Sequence, residues 1–138
     1  MTFTGHQNIL GTNRSTLEIT TEDFLTLKGD CIIGINASKS CADLSSEAKN
    51  WLQGEGNPSL IRFEVAGKTF DILARGSSRL THTNEISMVI RRSDYACART
   101  LAIRATASAI DLPRSMIMEL KNEAKGSMKI YSVNEFFR

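Results

Sequence analysis

The chain has 138 residues, 41% of them hydrophobic and 23% charged, with a formal net charge of +2. That length suits one domain with a core of its own, and the composition is that of an ordinary soluble globular protein. Three cysteines, Cys31, Cys41 and Cys97, with no CxxC spacing argue against a disulfide framework and against a tetrahedral thiolate metal centre.

No apolar run approaches the roughly 20 residues that span a bilayer, so no membrane partner is expected. The opening MTFTGHQN has no basic stretch followed by an apolar one, so no secretory signal is read there. A cytoplasmic location with free, buried thiols is the expectation, and no cofactor is expected. Charge is uneven along the chain. Residues 1–58 hold four bases and seven acids, a balance of −3, and residues 59–138 hold thirteen and eight, a balance of +5.

In chain order, Ser15–Thr21 alternates, with Leu17 and Ile19 on one face and Thr16, Glu18 and Thr20 on the other, which predicts a half-buried strand. Lys28-Gly29-Asp30 signals a turn, and Cys31–Asn36 is a short β-branched run typical of a buried strand. Ala37–Ala42 is small and polar, hence a loop. Asp43 then has the chemistry to cap a helix over Leu44–Gln53, which Gly54 and Gly56 end. A hairpin follows, with its turn at Ala66-Gly67-Lys68. A Gly67-Lys68 loop places Glu64 opposite Asp71, whereas an Ala66-Gly67 loop pairs Arg62 with Asp71. Charge favours the second register and turn chemistry the first.

Arg75–Asn84 reads as a polar connection, and Glu85–Arg91 and Thr100–Thr106 as strands. Asp111, Leu112 and Pro113 open a second helix with Met116, Ile117 and Leu120 as its apolar stripe, stopped by Gly126. A last strand is expected over 127–134, and the closing residues Asn134–Arg138 are expected to dock or fray.

One segment occurs twice. Residues 35–52 and 103–120 align without a gap, with Ile35, Ala37, Ser40, Asp43, Leu44 and Leu52 meeting Ile103, Ala105, Ser108, Asp111, Leu112 and Leu120. The expectation is therefore a single domain over 1–138. It is mainly β, a β-sandwich or distorted barrel with two short helices. Strand-strand-helix units over about 15–53 and 85–121 are expected to relate by a pseudo-two-fold axis around a hairpin at 59–75.

The blocks GHQNILGTNRSTLEITTEDFLTLKGDCIIGINASKS and RTLAIRATASAIDLP resemble an uncharacterised archaeal family, a domain of unknown function numbered 371. The resemblance covers nearly the whole chain. It implies a cytoplasmic single domain of β-sandwich type and implies no activity. The family pattern implies a histidine where this chain has Asn13, a proline where it has Gln7, and Ala-Asp-Lys-Ala after each repeated strand. Here those segments read Ala37-Ser38-Lys39-Ser40 and Ala105-Thr106-Ala107-Ser108. If the replaced groups carry the family's chemistry, this member has lost or altered it.

Candidate ligand-binding residues follow from polar side chains at strand ends. Loops 37–42 and 105–110 run from strand ends into helix starts, where free N–H groups suit an anion and Lys39 assists; a plain structural connection is the commoner use of such loops. The residues singled out are His6, Asn13, Arg14, Asp30, Ser38, Lys39, His82 and Arg104. His6 and His82 lack a nearby acid-rich motif, so acid–base or metal chemistry is the weaker reading beside turn formation. Cys31 lies in an apolar strand, where a thiol is normally inert. No reaction class follows.

The leading expectation is a small-molecule binder whose ligand the sequence does not identify. Its rival is an RNA-binding module using Lys68, Arg91, Arg92 and Arg99. Against that rival, the pI near 8.5 is low for a nucleic-acid binder and aromatic residues are few. A third reading is an interaction subunit, and a homo-oligomer is compatible with any of these.

Overall fold

The computed structural model describes residues 1–133, so the closing residues 134–138 and the end of the expected last strand lie outside the described residues. The fold is mainly β, as expected: two four-stranded sheets with two helices. The strands are β1 (Thr2–Thr4), β2 (Thr16–Thr20), β3 (Ile32–Gly34), β4 (Pro58–Val65), β5 (Lys68–Arg75), β6 (Ser87–Arg91), β7 (Thr100–Ala102) and β8 (Lys125–Ser132). The helices are α1 (Ser46–Leu52) and α2 (Arg114–Lys121). One sheet has the order β1-β8-β4-β5 and the other β3-β2-β6-β7.

The hairpin adopts the register that charge favours. Arg62 faces Asp71, Phe63 faces Phe70 and Val65 faces Lys68. Its loop is Ala66-Gly67, both at positive φ (52° and 79°), which is the backbone a two-residue loop needs to match strand twist. Favourable pairing along eight residues outweighs the cost of alanine in a left-handed conformation.

In the second sheet, Leu17 faces Ile90 and Ile19 faces Met88, and these four are buried with Phe3, Ile33, Phe63 and Leu101 in one core. Phe3 meets Phe63 edge-on at 6.3 Å between ring centres. β2 is not half-buried as its alternation predicts: Glu18 and Thr20 are buried too. The Cys31 thiol and the Arg99 guanidinium reach Glu18 from the residues before β3 and β7, at 3.7 and 3.9 Å. Strands β3 and β7 run parallel to β2 and β6, each with a register shift.

Both helices start later than the sequence predicts. Asp43 caps no α-helix. Its carboxylate accepts from the N–H and hydroxyl of Ser40 (2.9 and 3.0 Å), closing a 3₁₀ turn at Cys41–Asp43. Ser45 then caps α1, its hydroxyl accepting from the Ala48 N–H. Asp111 likewise binds Ser108, and Pro113 is the residue before α2. Asp43 satisfies its own backbone within three residues, and the chain must turn again before a helix can form. α2 ends at Lys121, not at Gly126, which lies inside β8 against the Phe3 ring. β1 was not foreseen at all; its Phe3 fills the core beside Gly34 and Gly126.

Local features recur at aligned positions of the doubled segment. Asn36 and Arg104 both have φ of 51°. Thr4 exchanges backbone hydrogen bonds with Ile35, and Arg75 with Ile103. Asn13 opens β2 by accepting from the N–H groups of Ser15 and Thr16, and Asn84 opens β6 by accepting from those of Ile86 and Ser87.

Candidate ligand-binding groove

The aligned helices differ in which side chains they bury, and a groove lies beside α1. In α2, Met116, Ile117 and Leu120 are all buried. Their aligned counterparts in α1 are Ala48, Lys49 and Leu52, of which only Leu52 is buried. Lys49 does not pack inward as Ile117 does; its ammonium donates to the Ala42 carbonyl at 3.0 Å. With a methyl group where α2 has a thioether chain, α1 leaves space above Ile130 and Ser132 of β8. The space is an open groove of about 740 Å³ lined by Ser45, Glu47, Ala48, Trp51, Ile130 and Ser132, among others. That volume lies in the range of small-molecule sites.

Trp51, the sole tryptophan of the chain, is half-buried, and its indole N–H donates to the Pro58 carbonyl at 3.0 Å. The ring therefore offers the groove its apolar surface, not its donor. Ser59 faces Ser132 across β4 and β8, and its hydroxyl is the buried side-chain polar atom without a partner among the described residues.

The groove continues past Ser45, Ala48 and Ile130 into a shallower recess of about 330 Å³ that includes Lys39, Leu44, Met128, Lys129 and Tyr131. Among the described residues, no acidic side chain lines this recess. Its two lysine ammonium groups both act on the Met1 amino group, which also lines the recess. The Met1 amino group donates to the Met128 carbonyl, and its pKa is lowered by burial first, then by Lys39 and Lys129. Asp43, the acid nearest Lys39 in sequence, is already bound to Ser40, whose N–H and hydroxyl hold its carboxyl below the usual range.

Of the eight candidates read from the sequence, Lys39 alone lines the groove. Ser38 sits beside it, with its hydroxyl accepting from the Thr2 N–H. Asn13 and Asp30 meet each other: the Asn13 amide donates to the Asp30 carboxylate at 3.2 Å, and the Asp30 carbonyl accepts from the N–H groups of Thr12 and Asn13. That arrangement is a turn lock: the Asn13 side chain accepts from the Ser15 and Thr16 N–H groups and donates to the Asp30 carboxylate. Arg14 is exposed on the same turn. The His6 ring Nδ1 accepts from the Asn8 N–H, which also makes a turn.

His82 is fully buried, between the Gln53 amide (3.2 Å) and the Leu101 carbonyl (3.0 Å). Burial above all, with Lys49 adding to it and the Leu101 carbonyl opposing, lowers its pKa. Arg104 is exposed, 3.9 Å from Asp94. Among the described residues, His6, Asp30, Lys39 and His82 share no hydrogen-bond partner.

Of the four residues of the nucleic-acid reading, Lys68 starts β5, Arg91 ends β6, and Arg92 and Arg99 lie at the two ends of the β6–β7 connection, each with a partner. Lys68 faces Glu119, Arg92 faces Asp111 and Arg99 faces Glu18. Arg91 donates to the Thr100 hydroxyl at 2.8 Å, meets the Cys97 sulfur at 3.4 Å and lies 4.9 Å over the Tyr95 ring. Sequence reasoning missed Ala48, Trp51, Lys129, Ile130 and Ser132. A signal for the first of these was on hand: in the doubled segment Ala48 stands opposite Met116.

The family model described as Domain of unknown function (DUF371) matches residues 1–133. The chain is 42% identical over 126 residues to Uncharacterized protein MJ0206 of Methanocaldococcus jannaschii, an alignment covering 91% of this chain and 93% of that protein. No helix among the described residues is long and apolar enough to cross a membrane.

Proposed function

This chain belongs to the domain-of-unknown-function family DUF371, and we propose that it binds a small anionic ligand in the groove between α1 and β8. The observation that carries the reading is charge at an open groove: Lys39 and Lys129 line one end with no acid among its described lining residues. A paired cation resists a second anion, whereas exposed ammonium groups attract one, and two of them at one recess add their fields. This keeps the anion at the loop after β3 but draws it to the lysine side chain, since Asp43 already occupies the local N–H groups.

Cytoplasmic residence of one domain built from two equivalent units belongs to the same proposal. The three unpaired cysteines support the reducing compartment. The strand orders support the two units: exchanging β1–β4 for β5–β8 turns each sheet order into its own reverse.

The test is a titration with 8-anilinonaphthalene-1-sulfonate at low ionic strength, read by quenching of Trp51. Saturable binding is expected, weakened about tenfold or more by the double variant K39E/K129E, since two Coulomb contacts near a surface are reversed. An unchanged isotherm in that variant overturns the proposal.

A further inference from the structure

We infer that the ligand's body is a planar aromatic ring seated against Trp51 over Ala48, so that the ligand class is an aromatic phosphate or carboxylate; this rests on the anion-binding reading above. Three features of the groove select a ring over a flexible chain. The indole N–H is spent on Pro58, so Trp51 offers apolar ring surface, which aromatic partners use best in offset or edge contact. The groove is open on one side, so a chain lying in it would lose its rotor entropy without being enclosed, a loss that a rigid ring avoids.

The third feature is its local width. Ala48 and Met116 occupy the same place in the doubled segment, yet the Met116 side chain is fully buried and Ala48 is only partly so. Ala48 thus contributes a methyl group where the aligned helix carries a methionine, in a space that Trp51 and Ile130 also line. Ser45, Asn50 and Ser132 stand around this space and can bond ring substituents. The ring lies on Ala48 and the anion reaches toward Lys39 and Lys129, because Ala48, Ser45 and Ile130 line both the groove and the recess.

The experiment is competition against the sulfonate dye by inorganic phosphate, phenyl phosphate and n-hexyl phosphate on the full chain. Phenyl phosphate is expected to displace the dye at about one-fifth of the hexyl concentration or less, the factor one aromatic contact supplies. Equal displacement by hexyl and phenyl phosphate overturns the inference and leaves anion binding standing. Dye binding that no phosphate compound displaces overturns both. The variant Ala48→Met, which gives α1 the residue α2 carries, should abolish the phenyl advantage while inorganic phosphate still competes. A retained advantage in folded A48M, checked by circular dichroism, counts against the ring's position. The wild-type series decides the ligand class whether or not that variant folds.

Discussion

Gly5 rests on the backbone carbonyl of Leu120 so closely that a β-carbon built on the glycine would fall on that oxygen. Gly76 stands in the same relation to the carbonyl of Leu52. Each glycine also donates its N–H to the segment leaving that helix, Gly5 to Ala124 and Gly76 to Asn57, both at 2.8 Å. Space, not backbone conformation, is what these positions need. The obstructing atoms are backbone at the end of a helix, so they cannot rotate away. Gly5→Ala and Gly76→Ala are each expected to destabilise the fold by about 1–3 kcal/mol, the range of a forced overlap in a packed region. Urea unfolding measures this, and a loss under about 0.5 kcal/mol in both would refute the argument.

The three thiols are expected to react very unequally. Burial pushes Cys31 up to about 11, with Glu18 adding to it. Burial pushes Cys41 up to about 12. Burial also raises Cys97, but the Thr100 hydroxyl, the Arg99 N–H and the Arg91 guanidinium outweigh it and bring the thiol down to about 7. Thiolate is the nucleophile, so iodoacetamide at neutral pH should label Cys97 first, with a rate that rises through about pH 7. Arg91→Leu should slow that labelling and move its midpoint up. Peptide mass spectrometry that found Cys31 or Cys41 labelled ahead of Cys97 would contradict this order.

His82 gives the fold an acid sensitivity whose sign can be worked out. The Leu101 carbonyl only accepts, so Nε2 carries the proton and Nδ1 accepts from the Gln53 amide. A second proton on the ring would meet that amide's N–H. Burial keeps the folded ring's pKa below its ordinary value of 6.5. Below pH 6.5 the unfolded chain therefore binds a proton that the folded chain refuses. Stability from this site is complete above 6.5 and declines as pH falls from there toward the folded pKa. The melting temperature should drop between about pH 7 and 5. His82→Asn should flatten that slope, since asparagine tolerates the positive φ of 50° but does not titrate. A slope as steep in the variant as in the wild type would place the acid sensitivity elsewhere.

What the sequence made legible follows the range of the interaction involved. The hairpin was readable because its two strands are joined by a two-residue loop, but its register was left between two, charge favouring the Arg62–Asp71 pairing that the structure adopts and turn chemistry the other. The α2 stripe was readable because Met116, Ile117 and Leu120 keep helical spacing. β1 was not, since three residues hold no periodicity and Phe3 is buried only by distant strands. Asp43 was misassigned because an aspartate before an apolar run fits a helix cap and a 3₁₀ turn equally well, and the choice was made by Ser45 two residues on. The groove was half legible. Lys39 stood out as a charge in a loop, but Lys129 and Ile130 come near it through β1, which pairs with β8 and whose Thr2 carbonyl accepts from the Ser38 N–H. His82 read as a loop histidine, since nothing local marks it as a buried partner of Gln53 and Leu101.

The Arg62–Asp71 pair allows register and ion-pair strength to be separated. Nε and Nη2 of Arg62 bond the two carboxylate oxygens at 2.7 and 2.9 Å. That bond, ahead of the charge itself, holds the Asp71 carboxyl below its ordinary pKa. A depressed carboxyl contributes stability above its unfolded pKa and loses it only as pH falls through the lower folded value. The pair should therefore stay intact down to about pH 4 and break in stronger acid. Both side chains are about 40% exposed, so the pair is screened by water and salt, and its removal should move the melting temperature little. Its effect on pairing should be larger. Arg62→Asp places two carboxylates directly opposite, the arrangement that disfavoured the other register. The reversed pair R62D/D71R should restore what R62D loses, because the contact is symmetric in sign while every apolar neighbour is unchanged. Amide exchange at Ile61 and Ile72 reports this directly: protection should fall in R62D and return in the reversed pair. If R62D left protection untouched, the apolar face of Ile61, Phe63 and Ile72 alone would hold the register, and charge would have no part in it.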